Sequence, residues 1–331
     1  MPKISVIIPV YNVAEYVGEC LNSLLSQTLF DIEIICVNDG STDNSLDMLN
    51  DFAQKDRRII VINKKNEGSG VARNTALKLA SGEYVFFADG DDWLDNNRVF
   101  EELYLKASKE DLDMLVFGGL SCYTDKNNRI HKSKGGYSLR TMPAKYLEGI
   151  FSYKDVKHDI FKFPSTAWTK LYKREFLVKN NILFQQIKVG QDQLPFFHSM
   201  ITAERIAVLN KCLYCYRKNR PNSAMTVKKK VNFSPLYVLK GIEELLIEIG
   251  RIEEYDTIFI NKYFSKATSW LAKFDNSLKP NYYKEYMRTL RHLKINYPKG
   301  WWKCFHPNVE DGYNRLKVKQ FVAKTKYMLS K

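Results

Sequence analysis

The run Tyr84-Val85-Phe86-Phe87-Ala88 is unbroken apolar sequence that ends in Asp89, Asp91 and Asp92, three carboxylates within four positions. Such a run reads as a strand buried on both faces, the kind found in parallel sheets covered by helices on each side. Like charges at the mouth of a buried strand repel, and holding them there costs stability unless a cation sits among them. Hard carboxylate oxygens suit Mg²⁺ or Mn²⁺, which take one or two protein carboxylates and the phosphate oxygens of a substrate. Gly90 removes the side chain that would crowd an approaching ligand. The competing reading is an acidic turn that caps the following helix, with Asp92 or Asp95 as N-cap.

The sequence around this run alternates in the same way. Ile4 to Val10, Ile32 to Val37, Ile59 to Ile62 and Met114 to Gly118 are short apolar runs. Between them, residues 16–27 (Val17, Cys20, Leu21, Leu24 and Leu25), 45–53, 70–80 and 97–107 carry helical spacing. Strands alternating with short helices specify βαβ units, so the expected fold is α/β, a Rossmann-like, mainly parallel sheet flanked by helices. Ligands of such sheets bind beyond the carboxyl ends of the strands, near the switch in strand order. Three of these ends are polar: Tyr11-Asn12, Asp39-Gly40-Ser41 and Asp89-Gly90-Asp91. A nucleotide-binding edge is the expectation.

Further along, residues 125–136 are polar and basic, an exposed loop or hairpin, and Pro164 to Tyr172 reads as a strand or strand entry before a short helix at 174–179. Asp192 opens an apolar helix, for which it is well placed as N-cap. Arg205 to Leu209 and Leu213 to Arg217 read as two late strands. Beyond Pro235, residues 236–248, 255–274 and 282–295 have helical spacing and form a helical C-terminal extension.

The formal charge of +14 is concentrated at one end: 13 Lys/Arg stand against 3 Asp/Glu from Lys279 to Lys331, an excess of ten that leaves +4 for the rest. Tyr282, Tyr283, Tyr297, Trp301, Trp302 and Phe305 are interleaved with these cations. Cations beside amphipathic aromatics suit an anionic membrane surface. The alternatives are a solvated helical extension or a contact in a homo-oligomer. Six scattered cysteines include one C-x-x-C pair, Cys212 and Cys215, in a strand-like run without a second pair or nearby histidines, which argues for structural thiols rather than zinc. No apolar stretch reaches the roughly 18 residues of a membrane span, and no secretory leader is expected. A cytoplasmic location follows, peripheral at the inner membrane face if the tail binds lipid.

Five motifs in order, Pro9-Val10-Tyr11-Asn12, Val37-Asn38-Asp39-Gly40-Ser41-Thr42-Asp43, Asn66-Glu67-Gly68 with Ala72-Arg73-Asn74, Ala88-Asp89-Gly90-Asp91-Asp92 and Gln191-Asp192, resemble the family 2 glycosyltransferases across about residues 3 to 226. The resemblance implies the GT-A fold and an inverting sugar transfer from a nucleotide-sugar donor, most simply a UDP-sugar, to a glycan or lipid-linked glycan acceptor. It implies a catalytic domain at 1–226, with a donor half at 1–120 and an acceptor half at 121–226, followed by the basic helical region 227–331. Carried over residue by residue, it places Pro9 and Tyr11 at the uridine and Asp39 as acceptor from the base. Arg73 then faces the base or phosphates. Asp91 ligates a divalent cation, Mn²⁺ or Mg²⁺, with Asp89 nearer the ribose or sharing the ion through water.

Asp192 matches the general base that takes the acceptor's proton; one base and direct displacement give inversion. Gln191 departs from the glutamate usual before that base, which affects acceptor orientation or the base's proton affinity. Arg217, with Ser223 and Thr226 beyond, resembles the phosphate-side segment. Trp168 and His198 are candidates for the acceptor pocket, against core packing for Trp168. The structural alternatives are a turn-forming role for Asp39 and a surface helix position for Arg73. A sugar nucleotidyltransferase is disfavoured because no glycine-rich loop with Arg and Lys follows the first strand. A nucleic-acid partner is not expected, since the charge lies outside the motif-bearing residues.

Overall fold

A computed structural model of the chain describes residues 1–125, 129–157, 159–187, 189–220, 233–255 and 279–296. The chain divides into two compact units, one of residues 1–186 with 191–220 and the other of 187–190 with 221–331. In the first unit the strands are β1 (Ile4–Val10), β2 (Ile32–Asp39), β3 (Ile59–Lys64), β4 (Tyr84–Phe87), β5 (Trp93–Leu94), β6 (Met114–Thr124), β7 (Ile130–Ser133), β8 (Lys170–Lys173) and β9 (Ile206–Arg217). Its helices are α1 (Ala14–Leu25), α2 (Ser45–Lys55), α3 (Ser69–Leu77), α4 (Val99–Lys109), α5 (Tyr153–Val156), α6 (Arg174–Lys179) and α7 (Gln193–Thr202).

The strands join in the order β3-β2-β1-β4-β8-β6-β9-β5, with β7 paired to β6. From β3 to β4 all pairings are parallel. The chain therefore steps outward from β1 to β3 and then returns to the other side of β1 as β4. That reversal creates the switch point, and the carboxyl ends of β1 and β4 flank it. Beyond β4 the sheet is mixed: β8 runs antiparallel to both β4 and β6, while β6 and β9 are parallel.

The apolar runs form these strands because both faces are covered. Val6, Ile8, Ile34, Cys36, Phe86, Leu115 and Phe117 are buried in one continuous cluster with Val17, Leu21 and Leu24 of α1 and Phe100 and Leu103 of α4. Each such side chain contributes about 1.5–3 kcal/mol by leaving water.

Several local expectations change. The two late strands are one, because the polar Asn210-Lys211 break is a bulge whose register slips lie opposite Gly118 and Gly119. A Cβ on Gly119 would stand 2.4 Å from Trp168 Cζ3, so only glycine lets the β6 backbone lie against that indole. The glycine pair does not end the strand, and β6 continues to Thr124. The basic loop does form a hairpin, β7 against β6. Neither Asp92 nor Asp95 caps α4, which begins after Arg98. Asp95 N instead donates to Leu213 O at 2.9 Å, beside the short β5–β9 pairing.

In the second unit, α8 (Ser234–Glu248) and α9 (Lys279–Asn296) are helical, as their spacing predicts. Phe233 and Tyr282 stack at 5.8 Å, and His292 Nε2 lies 2.8 Å from Glu243 Oε1. Ser223, Thr226, most of the expected 255–274 helix and the aromatic basic tail beyond residue 296 lie outside the described residues. Among the described residues no helix is long and apolar enough to cross a membrane.

Candidate active site

The loops leaving β1 and β2 are stitched together. Thr42 N donates to Asn12 Oδ1 at 2.8 Å, Ala14 N to Asp43 Oδ2 at 3.0 Å and Val13 N to Ser45 Oγ at 3.0 Å. Asn12 adopts φ 50°, a left-handed conformation that asparagine tolerates better than most residues. Pro9 lies within β1, and Tyr11, just past its end, is 48% exposed, leaving its ring free to meet a ligand.

Asp39 is buried at the end of β2. Glu67 N and Gly68 N donate to its two carboxylate oxygens at 3.0 and 2.7 Å, and Lys64 Nζ lies 2.9 Å from Oδ1. Its carboxylate thus holds the loop that starts α3, with one lone pair of Oδ2 left to accept a further bond. Gly68 has φ +96°, open to glycine and strained for other residues.

Arg73 projects from α3 and is buried, not on a surface helix face. Its Nη2 is ion-paired with Asp89 Oδ1, and its guanidinium lies over the Phe184 ring at 5.2 Å. Nε and Nη1 are buried without a hydrogen-bond partner. Unmatched guanidinium donors are costly to bury, and an anionic ligand is what they fit.

After β4 the acidic turn is held from three sides. Asp89 N donates to the Tyr214 hydroxyl at 2.9 Å, Arg217 N to Asp92 Oδ1 at 2.8 Å, and Arg217 Nε to Asp91 O at 2.8 Å. The Gly90 side faces the end of β1 rather than open space: a Cβ there would lie 3.3 Å from Val13 Cγ2. Arg217 is also ion-paired with Glu19 and lies over Trp93 at 4.6 Å, so its guanidinium braces the turn. Arg220, which the sequence did not single out, brings Nε to 2.7 Å from Asp91 Oδ2 without hydrogen-bond alignment.

Burial and then the charge of Asp89 push the Asp91 carboxyl above its usual range, against the pull of Arg220 and Arg217. A divalent cation would offset that burial cost and the repulsion between Asp89 and Asp91. Among the described residues no group of three His, Cys, Asp or Glu is placed to hold a metal ion alone. Two carboxylates do fit an ion that completes its shell with a substrate's phosphates, so Asp89 and Asp91 suit Mg²⁺ or Mn²⁺ on that condition.

Asp192 stands at the N-cap position of α7, yet its side chain makes no capping hydrogen bond. Burial pushes its proton affinity up; Arg73 and Lys170 oppose this and Asp89 adds to it, which sets Asp192 within electrostatic reach of the Arg73–Asp89 pair. Gln191 Nε2 donates to Ser69 Oγ at 2.7 Å, linking the segment before Asp192 to the start of α3. Trp168 lies in an aromatic stack, 4.6 Å from Tyr214 and 5.7 Å from Tyr216. It is buried, as core packing requires. His198 is buried within α7, which lowers its pKa to about 4 and keeps it neutral at neutral pH.

A parallel α/β half whose strand order reverses between β1 and β4, joined to a mixed half that carries α7, is the architecture of the GT-A fold. The chain matches the family model described as Glycosyl transferase family 2 over residues 5–177. It is 36% identical over 232 residues to the uncharacterized glycosyltransferase EpsJ of Bacillus subtilis, covering 70% of this chain and 65% of that protein. It is 31% identical over 271 residues to the poly(ribitol-phosphate) beta-glucosyltransferase of Bacillus spizizenii, covering 79% of this chain and 40% of that one. The chain therefore spans only 65% and 40% of the lengths of these two relatives. The crystal structure of S. aureus TarS 1-349 in complex with UDP-GlcNAc superposes with a TM-score of 0.61 at 22% identity, over 90% of this chain and 92% of that one, and shows the same fold. The chain belongs to glycosyltransferase family 2.

Proposed function

We propose that this chain transfers a sugar, with inversion, from a UDP-sugar to a hydroxyl of a glycan or lipid-linked glycan, using the crevice at the β1/β4 switch point within residues 1–226. The observation that carries the reading is Asp192, free of any capping bond, within reach of the Arg73–Asp89 pair at the mouth of β4. The TarS complex with UDP-GlcNAc supports a uridine donor. The name of the poly(ribitol-phosphate) beta-glucosyltransferase supports a polymer acceptor.

In this mechanism Tyr11 packs against the uracil beside Pro9, and Asp39 accepts from the base. The free N–H groups of Arg73 bond the donor's base or phosphates. Asp192 takes the proton of the acceptor hydroxyl as its oxygen attacks the anomeric carbon. The bond from that carbon to the diphosphate breaks on the opposite face, and UDP leaves with the bonding pair. Asp89 and Asp91 would hold a divalent cation, which would supply neutralisation of the charge that gathers on the leaving diphosphate. A raised Asp192 proton affinity suits a base that must accept a hydroxyl proton during the reaction.

A panel of UDP-sugars tested for slow hydrolysis without acceptor checks this. One or a few donors are expected to release UDP with Mn²⁺ or Mg²⁺ and none in EDTA. Absence of release from every UDP-sugar, with UDP itself failing to bind, contradicts the proposal.

A further inference from the structure

Lys170 has no exposed surface, although it opens β8 in the middle of the sheet. Its Nζ donates to Pro164 O at 2.5 Å, Thr166 O at 2.8 Å and Thr169 Oγ1 at 3.2 Å, and lies 5.0 Å from the centre of the Phe196 ring of α7. Three acceptors match the three N–H bonds of an ammonium, whereas a neutral amine leaves one oxygen without its bond. Burial nevertheless lowers the lysine to about 7, with the charge of Asp192 acting the other way. An apolar side chain of similar length would fill this space without that desolvation cost, so packing alone does not explain the lysine. The segment it gathers is also fastened to α7: Gln193 Nε2 donates to Ser165 Oγ at 2.9 Å, and Gln193 directly follows Asp192.

We propose that Lys170 is a positioning residue for Asp192: its ammonium organises the 164–169 segment that holds the start of α7, and it acts as the interior countercharge to the Asp192 carboxylate. The inference rests on the reading of Asp192 as general base. The groups acting on Asp192 are Arg73 on α3, Asp89 after β4 and Lys170 on β8; Asp192 in turn acts on the phenols of half-buried Tyr137 and buried Tyr172. Arg73 is already matched by Asp89, and both phenols are held neutral by burial. Lys170 is thus the cation in this set not paired to another carboxylate in the described residues.

The sign follows. On the acidic limb, below Lys170's own titration near 7, the ammonium is charged and favours ionised Asp192. Removing that charge raises the pH at which Asp192 ionises.

The test compares wild-type enzyme with Lys170→Met, Ser165→Ala and Asp192→Asn, reading kcat and donor KM across pH, with Mn²⁺-dependent UDP binding as the check on folding. For Lys170→Met the acidic limb of the kcat profile is expected to move up by roughly one pH unit. Its neutral-pH kcat is expected to fall roughly tenfold, with donor KM unchanged. Ser165→Ala is expected to lower kcat several-fold without moving the limb. An unmoved limb in folded Lys170→Met overturns the inference. Where Lys170→Met does not bind UDP, Ser165→Ala decides: reduced kcat at unchanged donor KM supports the inference, and wild-type kcat overturns it. An inactive Asp192→Asn beside a wild-type Lys170→Met profile defeats this inference alone. An active Asp192→Asn defeats the base assignment and this inference with it.

Discussion

Asp192→Asn is expected to lose about 10²–10⁴-fold in turnover, the span that a positioned general base contributes, while binding UDP with near-normal affinity. The substitution separates two roles that share one position. Asparagine caps helices about as well as aspartate, so a purely structural N-cap predicts an enzyme close to wild type. The side chain makes no such cap bond to lose. What asparagine cannot do is accept the acceptor's proton, and it removes the negative charge that faces Arg73 and Lys170. Single-turnover rates with saturating donor, set beside UDP titrations, check the split. A fall in UDP affinity as large as the fall in rate contradicts the base assignment and makes Asp192 a structural residue.

Asp91→Asn is the second substitution with a large expected effect. The carboxylate sits in a turn braced by Arg217 and beside Arg220, so the isosteric amide leaves the backbone bonds of the turn in place. It also removes a carboxylate charge that burial and the neighbouring Asp89 disfavour, so folding is not expected to suffer. The loss falls on the cation. Even residues that only support metal ligands cost about 10–100-fold in affinity when removed, so Mn²⁺-dependent UDP binding should fall by at least about 100-fold. Titration calorimetry with and without Mn²⁺ reads this directly. Undiminished Mn²⁺-dependent binding by the variant, or full wild-type transfer in EDTA, contradicts a metal role for this residue.

The parallel half of the fold was legible because its strands are continuous apolar runs, and its helices bury regular faces such as Val17, Leu21 and Leu24. The order of those strands also put the polar ends of β1, β2 and β4 on one edge. What local sequence did not reveal depends on partners far away in the chain. The Asn210-Lys211 break looks like a strand end until Gly118 and Gly119 are seen to admit a bulge opposite it. Trp93-Leu94 is too short a run to read as a strand, yet pairs with β9 residues more than a hundred positions on. Asp39 resembles a turn former because its donors, Glu67 N and Gly68 N, belong to another loop. Lys170 did leave a signal, a lysine set between Trp168-Thr169 and Leu171-Tyr172, but only the carbonyls that converge on it explain its burial. Arg220 carried none beyond lying three residues after Arg217.

The central claim is that a uridine nucleotide occupies the edge formed by the ends of β1, β2 and β4. Hydrogen exchange measured with and without UDP and Mn²⁺ tests it most directly, since a ligand that binds the folded state slows exchange where it closes local openings. Added protection is predicted at residues 10–13, 39–41, 66–73 and 88–92, with α4 and the β6–β7 hairpin unchanged. Protection confined to α4 or the hairpin, or none at saturating UDP, would contradict the account.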